Sequence, residues 1–256
     1  MGASRADLGG GKPSELPPLT PMRLADTHRL IPSKYRDGGE SVLARIADSD
    51  AHLRDIFDLD NATNDRLLAE DGRFPGVGPY DLVFAPIPHY RIINAAFTHP
   101  HPLGSRFNGP DRGAWYAGRE LETAQAEVVF HKTTEYAEIG RFRDSVTYDD
   151  YLADFGAEFH DLRGDARFAA ALDPVTYAAS QQLAERLLAA GSAGVLYPSV
   201  RRPGGLCLAC FQPALVGHVR RAATYRFTWD GEAKPRIDVE ATLVLDRGGD
   251  AGDRPA

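Results

Sequence analysis

The chain has 256 residues, of which 43% are apolar and 25% charged, and its net charge is -7. That length supports one substantial core, and the composition is that of a globular protein. The negative balance disfavours nucleic acid as a direct substrate, because neutralising phosphates takes surplus Lys and Arg.

No stretch approaches the roughly 20 apolar residues that a membrane-spanning helix needs. The N-terminus lacks a basic-then-apolar leader. Two cysteines, Cys207 and Cys210, cannot build a disulfide framework. The sequence therefore predicts a cytoplasmic protein with no membrane partner.

Residues 1–20 hold Gly9-Gly10-Gly11 and Pro13, Pro17 and Pro18, and few large apolar side chains. Such a segment buries too little to offset chain entropy and is expected to be a disordered tail. Residues 21–79 are expected to be a helical extension packed on the main domain. Ser41 can cap a helix through Val42, Leu43 and Ile46, and Asp60 to Glu70 reads as another. Gly72, Pro75, Gly76, Gly78 and Pro79 then break the chain.

Residues 80–240 form that main domain. Leu82 to Ile87 and Tyr90 to Phe97 read as strands, the second with Arg91 inside it. Thr98 to Arg112 is a loop rich in Pro, Gly and His, of a length that is commonly functional. Ala114-Trp115-Tyr116 is a short strand, and Leu121 to Glu135 a helix with acidic residues near its start. Phe142 to Leu162 alternates unevenly and reads as strands joined by a turn. Asp173-Pro174 opens a helix that ends at Gly191. Gly194 to Val200, Leu206 to Phe211 and Leu215 to Trp229 read as strands, and residues 241–256 as a second tail. Strands outnumber helices without alternating with them, so the predicted class is α+β.

Each candidate for chemistry has a plainer reading beside it. An arginine buried in an apolar strand, as Arg91 would be, needs an anion to offset its desolvation, and its planar guanidinium suits a phosphate. On an edge strand it would simply face solvent. Arg106 lies in a polar loop where the backbone of Gly104 and Asn108 can assist anion binding, or it is a surface arginine. Trp115 and Tyr116 point to opposite faces of their strand. One or both pack in the core, or one stacks on a planar ring.

Glu127 is the most informative residue. It sits among Ala124, Ala126, Val128, Val129 and Phe130. A carboxylate there is at the edge of the core or in a pocket, where it can orient a hydroxyl or stabilise developing positive charge. His131 shares its helix face, as a ligand contact or as a structural histidine. Ser199 follows Pro198 and precedes Arg201, Gly204 and Gly205. It lacks the nucleophile-elbow pattern, so a hydroxyl serving phosphate or ribose is favoured over a hydrolase serine, and a turn serine is the plain alternative. Cys207 and Cys210 lack a second pair for zinc and read as buried thiols on opposite faces of a strand. No metal ligand set is recognised.

The order of these segments carries more than any one of them. Tyr90-Arg91-Ile92, then Gly104-Ser105-Arg106-Phe107-Asn108, then Ala114-Trp115-Tyr116-Ala117, then Ala124-Gln125-Ala126-Glu127, then Gly194 to Arg201 resembles the RES-domain pattern across roughly residues 80–230. Ser105-Arg106-Phe107 stands where the family usually has Gly-Arg-Trp.

The resemblance implies an ADP-ribosyltransferase-like fold, similar to diphtheria toxin, with a mixed β-sheet core and flanking helices. It implies an NAD-consuming toxin of a bacterial toxin–antitoxin pair, with NAD as substrate and an Xre-like antitoxin as protein partner in a hetero-oligomer. By resemblance Arg91 and Arg106 hold the pyrophosphate, and Arg201 is a further NAD-binding residue. Tyr116 contacts the nicotinamide end, Glu127 faces the reacting ribose, and Ser199 completes the pocket. The acceptor of ADP-ribose is left open between a protein, phosphate and water. A serine hydrolase acting through Ser199 and a non-enzymatic protein-binding module are the alternatives.

Overall fold

Seven strands form one sheet in the order β1-β2-β5-β4-β3-β6-β7, and β1 also pairs with β3. The computed structural model describes residues 16–36 and 76–242. The strands are β1 (Leu19–Pro32), β2 (Trp115–Gly118), β3 (Arg143–Asp161), β4 (Gly194–Pro198), β5 (Leu206–Cys210), β6 (Gly217–Asp230) and β7 (Arg236–Thr242). The helices are α1 (Tyr90–Thr98), α2 (Leu121–Ile139) and α3 (Ala178–Ala189). The mixed α+β class is as the sequence predicts.

Pairing of β1 with both β2 and β3 closes β1, β2, β5, β4 and β3 into a ring, from which β6 and β7 extend. Only β3 and β4 run parallel; the other pairs are antiparallel. The ring's weakest seam is between β1 and β2, where a single pair, His28 with Gly118, is in register. β1 is held instead along β3, from Leu19 opposite His160 to Pro32 opposite Tyr148.

β1 corrects two expectations. Residues 21–32, expected within a helical extension, are strand, and Leu19 and Thr20 belong to it rather than to a tail. Thr27, Arg29 and Ile31 alternate with His28 and Leu30, a period of two that flanking prolines disguise. The helices expected at Ser41 and at Asp60 to Glu70 lie outside the described residues. At the other end β7 runs to Thr242, past the expected domain boundary.

Tyr90 to Phe97, expected as a strand, is α1, with Ile92, Ile93, Asn94, Phe97 and Thr98 buried at helical spacing. Its Asn94 amide donates to the Val83 carbonyl at 2.8 Å and accepts from Val83 N–H at 3.1 Å. That side chain satisfies the backbone that a neighbouring strand would otherwise serve, so Leu82 to Ile87 stays irregular. Arg143 to Asp161 is one continuous strand rather than two. Tyr148 to Ala153 are all buried, and the register with β6 shifts twice, so no simple alternation survives.

Three apolar clusters hold the sheet. The first, around Phe97, Trp115, Tyr151 and Phe159, fills one side. The second gathers Phe107, Leu183, Leu187 and Phe211. The third is Tyr136, Tyr148, Phe227 and Trp229. Trp115 lies in the first and Tyr116 packs on the second, the opposite-face placement expected of neighbours on a strand. Cys210 and Cys207 divide between the same two clusters.

Gly118 decides how closely α2 approaches the sheet. A Cβ there would lie 2.8 Å from Ala124 N and 3.0 Å from Glu120 O, backbone atoms that cannot swing aside. Gly118→Ala is expected to cost about 1–3 kcal/mol as overpacking. A urea titration checks this, with a lower midpoint at unchanged slope.

Candidate active site

The start of α2 is tied to β5. Glu120 accepts from Thr123 Oγ1 at 2.7 Å and from Leu206 N–H at 3.3 Å. From there one stripe of the helix, Ala124, Glu127, Val128, His131, Lys132 and Glu135, forms a wall of a cavity of about 600 Å³. This volume falls in the range of small-molecule and cofactor sites. The stripe runs about 16 Å at ~1.5 Å per residue, long enough for an extended ligand.

The facing wall comes from the sheet: His28, Arg29 and Leu30 on β1, Tyr116 on β2, Tyr148 on β3, Tyr197 on β4 and Cys207 on β5. Ser105, Arg106, Lys34 and Tyr35 line it as well. The cavity separates the second apolar cluster from the third, since Tyr116, Tyr197 and Cys207 belong with the one and Leu30, Val128 and Tyr148 with the other.

Glu127 is held from behind. Ser199 Oγ donates to its Oε1 at 3.0 Å, and the Cys207 thiol lies 3.8 Å from the same oxygen. Burial pushes the Glu127 carboxyl above its ordinary range, against the pull of Ser199, Arg201 and Arg106. Burial and the same carboxylate push the Cys207 thiol up to about 12, so it remains a thiol.

Ser199 itself accepts from the backbone N–H groups of Arg201 and Arg202, at 3.2 and 3.1 Å. No imidazole is among its hydrogen-bond partners within the described residues. With its hydroxyl spent on Glu127 and its lone pairs on amides, it is built to position a carboxylate rather than to attack as a nucleophile.

Arg106 is buried, at 6% exposure, and stacks over Tyr177 at 4.7 Å. Its Nη1 donates to the carbonyls of Asp173 at 2.7 Å and Ala171 at 3.3 Å, which fixes the guanidinium plane at the cavity's end. The Tyr116 hydroxyl donates to Asn108 Oδ1 at 2.7 Å and accepts from Phe107 N–H at 2.9 Å. Burial raises its pKa well beyond the usual phenol range, so the ring is a neutral, locked wall.

Arg201, expected to bind the cofactor, is not among the lining residues: its guanidinium is 3.2 Å from the centre of the Phe130 ring, and its Nη2 donates to the Pro174 carbonyl at 2.7 Å. It acts on Glu127 through charge. Arg91 is placed elsewhere. It is exposed on α1, over the ring of Tyr90 at 5.6 Å, and is not among the lining residues.

The arginine that does lie in a strand among apolar residues is Arg29. Arg29 lies over Trp115 at 4.9 Å and donates to the Tyr116 carbonyl at 3.1 Å. Its Nε is buried with no partner among the described residues. Burial brings its pKa down to about 10. The guanidinium is thus held on the Trp115 side of the sheet, where desolvation is offset by the ring and one carbonyl. The signal in the sequence is Arg29-Leu30-Ile31, within a segment expected to be helical. Arg29→Met keeps the bulk and removes the charge. It is expected to leave the fold at least as stable, since a buried charge with an unpaired donor gives way to an apolar side chain of similar volume, and a urea titration checks this.

Fold and cavity together define an α+β protein with a half-buried carboxylate that shares a ligand-sized space with an arginine and several tyrosines. The RES domain matches residues 80–230, more than half of the chain. The chain belongs to the RES-domain family. Among curated proteins there is no match. Among solved structures, a chain of the M. tuberculosis MbcT–MbcA toxin–antitoxin complex is similar at 12% identity and a TM-score of 0.43, covering 81% of this chain and 87% of that one.

Proposed function

We propose that this protein is the toxin of a toxin–antitoxin pair and consumes NAD, breaking the nicotinamide–ribose bond and passing ADP-ribose to an acceptor. The reading rests on family membership and on one observation, the half-buried Glu127 carboxylate in the field of Arg106, in a cavity of about 600 Å³. The ADP-ribosyltransferase-like description of the fold belongs to the same reading.

In this mechanism an arginine holds the pyrophosphate, so reaction is favoured by positioning. Arg106, which lines the cavity, carries this task, and Arg91 is not among the lining residues. Tyr116 and Tyr197 wall the nicotinamide and ribose. Cleavage passes through an oxocarbenium-like state, as glycoside cleavage does. Glu127, ionised and aligned by Ser199, stabilises that charge at the anomeric carbon. The partner that restrains the activity is an Xre-like antitoxin, in a hetero-oligomer with this chain.

Purified protein is incubated with NAD, with and without phosphate and with a cell extract, and products are identified by mass. Free nicotinamide with ADP-ribose, ADP-ribose 1″-phosphate or an ADP-ribosylated protein supports the proposal and identifies the acceptor. Intact NAD under all conditions sinks it, and then favours a protein-binding module whose partner affinity is indifferent to Glu127→Ala.

A further inference from the structure

The cavity holds a second ordered constellation, one without a role in the proposed mechanism. His28 lies on β1 opposite Gly118 of β2, so no side chain crowds its ring from that strand. Its Nδ1 is 2.8 Å from Asp150 Oδ2. Asp150, on β3, is 2% exposed, and His28 is the one hydrogen-bond partner of its side chain among the described residues. The other carboxylate oxygen is buried and unpartnered among those residues.

A carboxylate committed in this way has one evident task, which is to hold an imidazole. By accepting the Nδ1 proton it fixes the tautomer and leaves the lone pair on Nε2. His28 lines the cavity, and its Nε2 has no hydrogen-bond partner among the described residues. Two adjacent strands, locked in register along β1 and β3, fix both groups. This is the geometry of a general base with its orienting carboxylate.

We infer that His28, oriented by Asp150, is the general base that deprotonates a neutral acceptor of ADP-ribose. The inference rests on the proposed NAD-consuming reaction. As the N-glycosidic bond breaks, its electron pair leaves with nicotinamide, which departs neutral. The acceptor oxygen forms the new bond to the anomeric carbon, and its proton passes to His28 Nε2 and then to solvent. Water or a protein hydroxyl needs this assistance. Phosphate dianion attacks through an oxygen that is already anionic and does not.

The test compares wild type, His28→Asn and Asp150→Asn, with NAD in water alone and in excess phosphate, each product quantified by mass. Asp150→Asn presents an amide to Nδ1 and favours the wrong tautomer, so it probes the same step without removing the ring. Both variants are expected to lose water-derived ADP-ribose by about 10²–10³-fold, the usual contribution of a general base. Phosphate-derived product should fall by less than ~10-fold, with KM for NAD little changed. Equal loss of both products overturns the inference, because a structural role would lower both. Unchanged product ratios in both variants overturn it too, as does a wild type that makes no water-derived product. A wild type that leaves NAD intact overturns the proposed function with it, whereas turnover by all three proteins at one ratio overturns only the role of His28.

Discussion

Glu127→Gln is expected to lower NAD turnover by about 10²–10³-fold while making the protein more stable at neutral pH. Both effects come from burial. The folded-state pKa of Glu127 is raised above the ordinary 4.5, chiefly by desolvation. The folded protein therefore holds that proton more firmly than the unfolded chain. Stability falls as pH rises from about 4.5 through the raised value, and is fully retained below it. Glutamine carries no charge to bury, and it keeps an oxygen to accept from Ser199. The gain should appear as a higher melting temperature at pH 7 and vanish near pH 4. Turnover by the wild type should rise with pH as the carboxylate ionises. A variant that is both inactive and less stable at pH 7 would mean that Glu127 serves the fold.

Arg36→Ala is expected to carry the largest cost in stability. Asp149 is fully buried, at 0% exposure, whereas the Arg36 side chain is 40% exposed. Arg36 grips it with two bonds, Nε to Oδ2 at 2.8 Å and Nη2 to Oδ1 at 2.7 Å. Thr224 Oγ1 donates to Oδ1 at 2.6 Å, and Arg221 stands 3.9 Å off. Removing Arg36 leaves a buried charge partly compensated. The loss should be about 3 kcal/mol, the low end for an orphaned buried ion because Thr224 and Arg221 remain. Burial alone would raise the pKa of Asp149, but the bonds from Arg36 and Thr224 outweigh it and hold it below the ordinary 3.8. The pair thus contributes stability above that value, which is lost as pH falls through the depressed one. Denaturation curves against pH should show Arg36→Ala unfolding at a less acid pH than wild type. Lys34 and Tyr35, which line the cavity, directly precede this anchor. The same variant should also raise KM for NAD.

How much of the site is legible in the sequence depends on how local each signal is. Glu127 stands out because a carboxylate among small and apolar helix neighbours is visible within two turns of chain. Arg106 and Tyr116 are legible by the order of segments around them, and Ser199 by its Pro and Gly neighbours. Arg29 is not, because prolines bound its strand and hide the period of two. Its importance depends on β2 and β3, far away in sequence. Arg91 draws attention through the same apolar-neighbour argument, yet its neighbours Ile92 and Ile93 serve the buried face of a helix, and the arginine faces out. The His28–Asp150 pair lies across 122 residues of chain and has no local signature. Asn94 shows the opposite effect, a single side chain that cancels a strand whose composition favours it.

The single-pair seam between β1 and β2 bears on how the molecule can be divided. Sequence similarity draws the family's boundary at residue 80, yet His28, Arg29, Lys34 and Tyr35 on the near side of that line supply a wall of the cavity. β1 is fastened to β3 and barely to β2, so the strand that completes the pocket belongs to it by shape rather than by contiguity. A protein trimmed to the recognised span would keep Glu127 and Arg106 and lose the residues opposite them. The smallest part of this chain that can be modular in function is therefore larger than the part that is recognisable by descent.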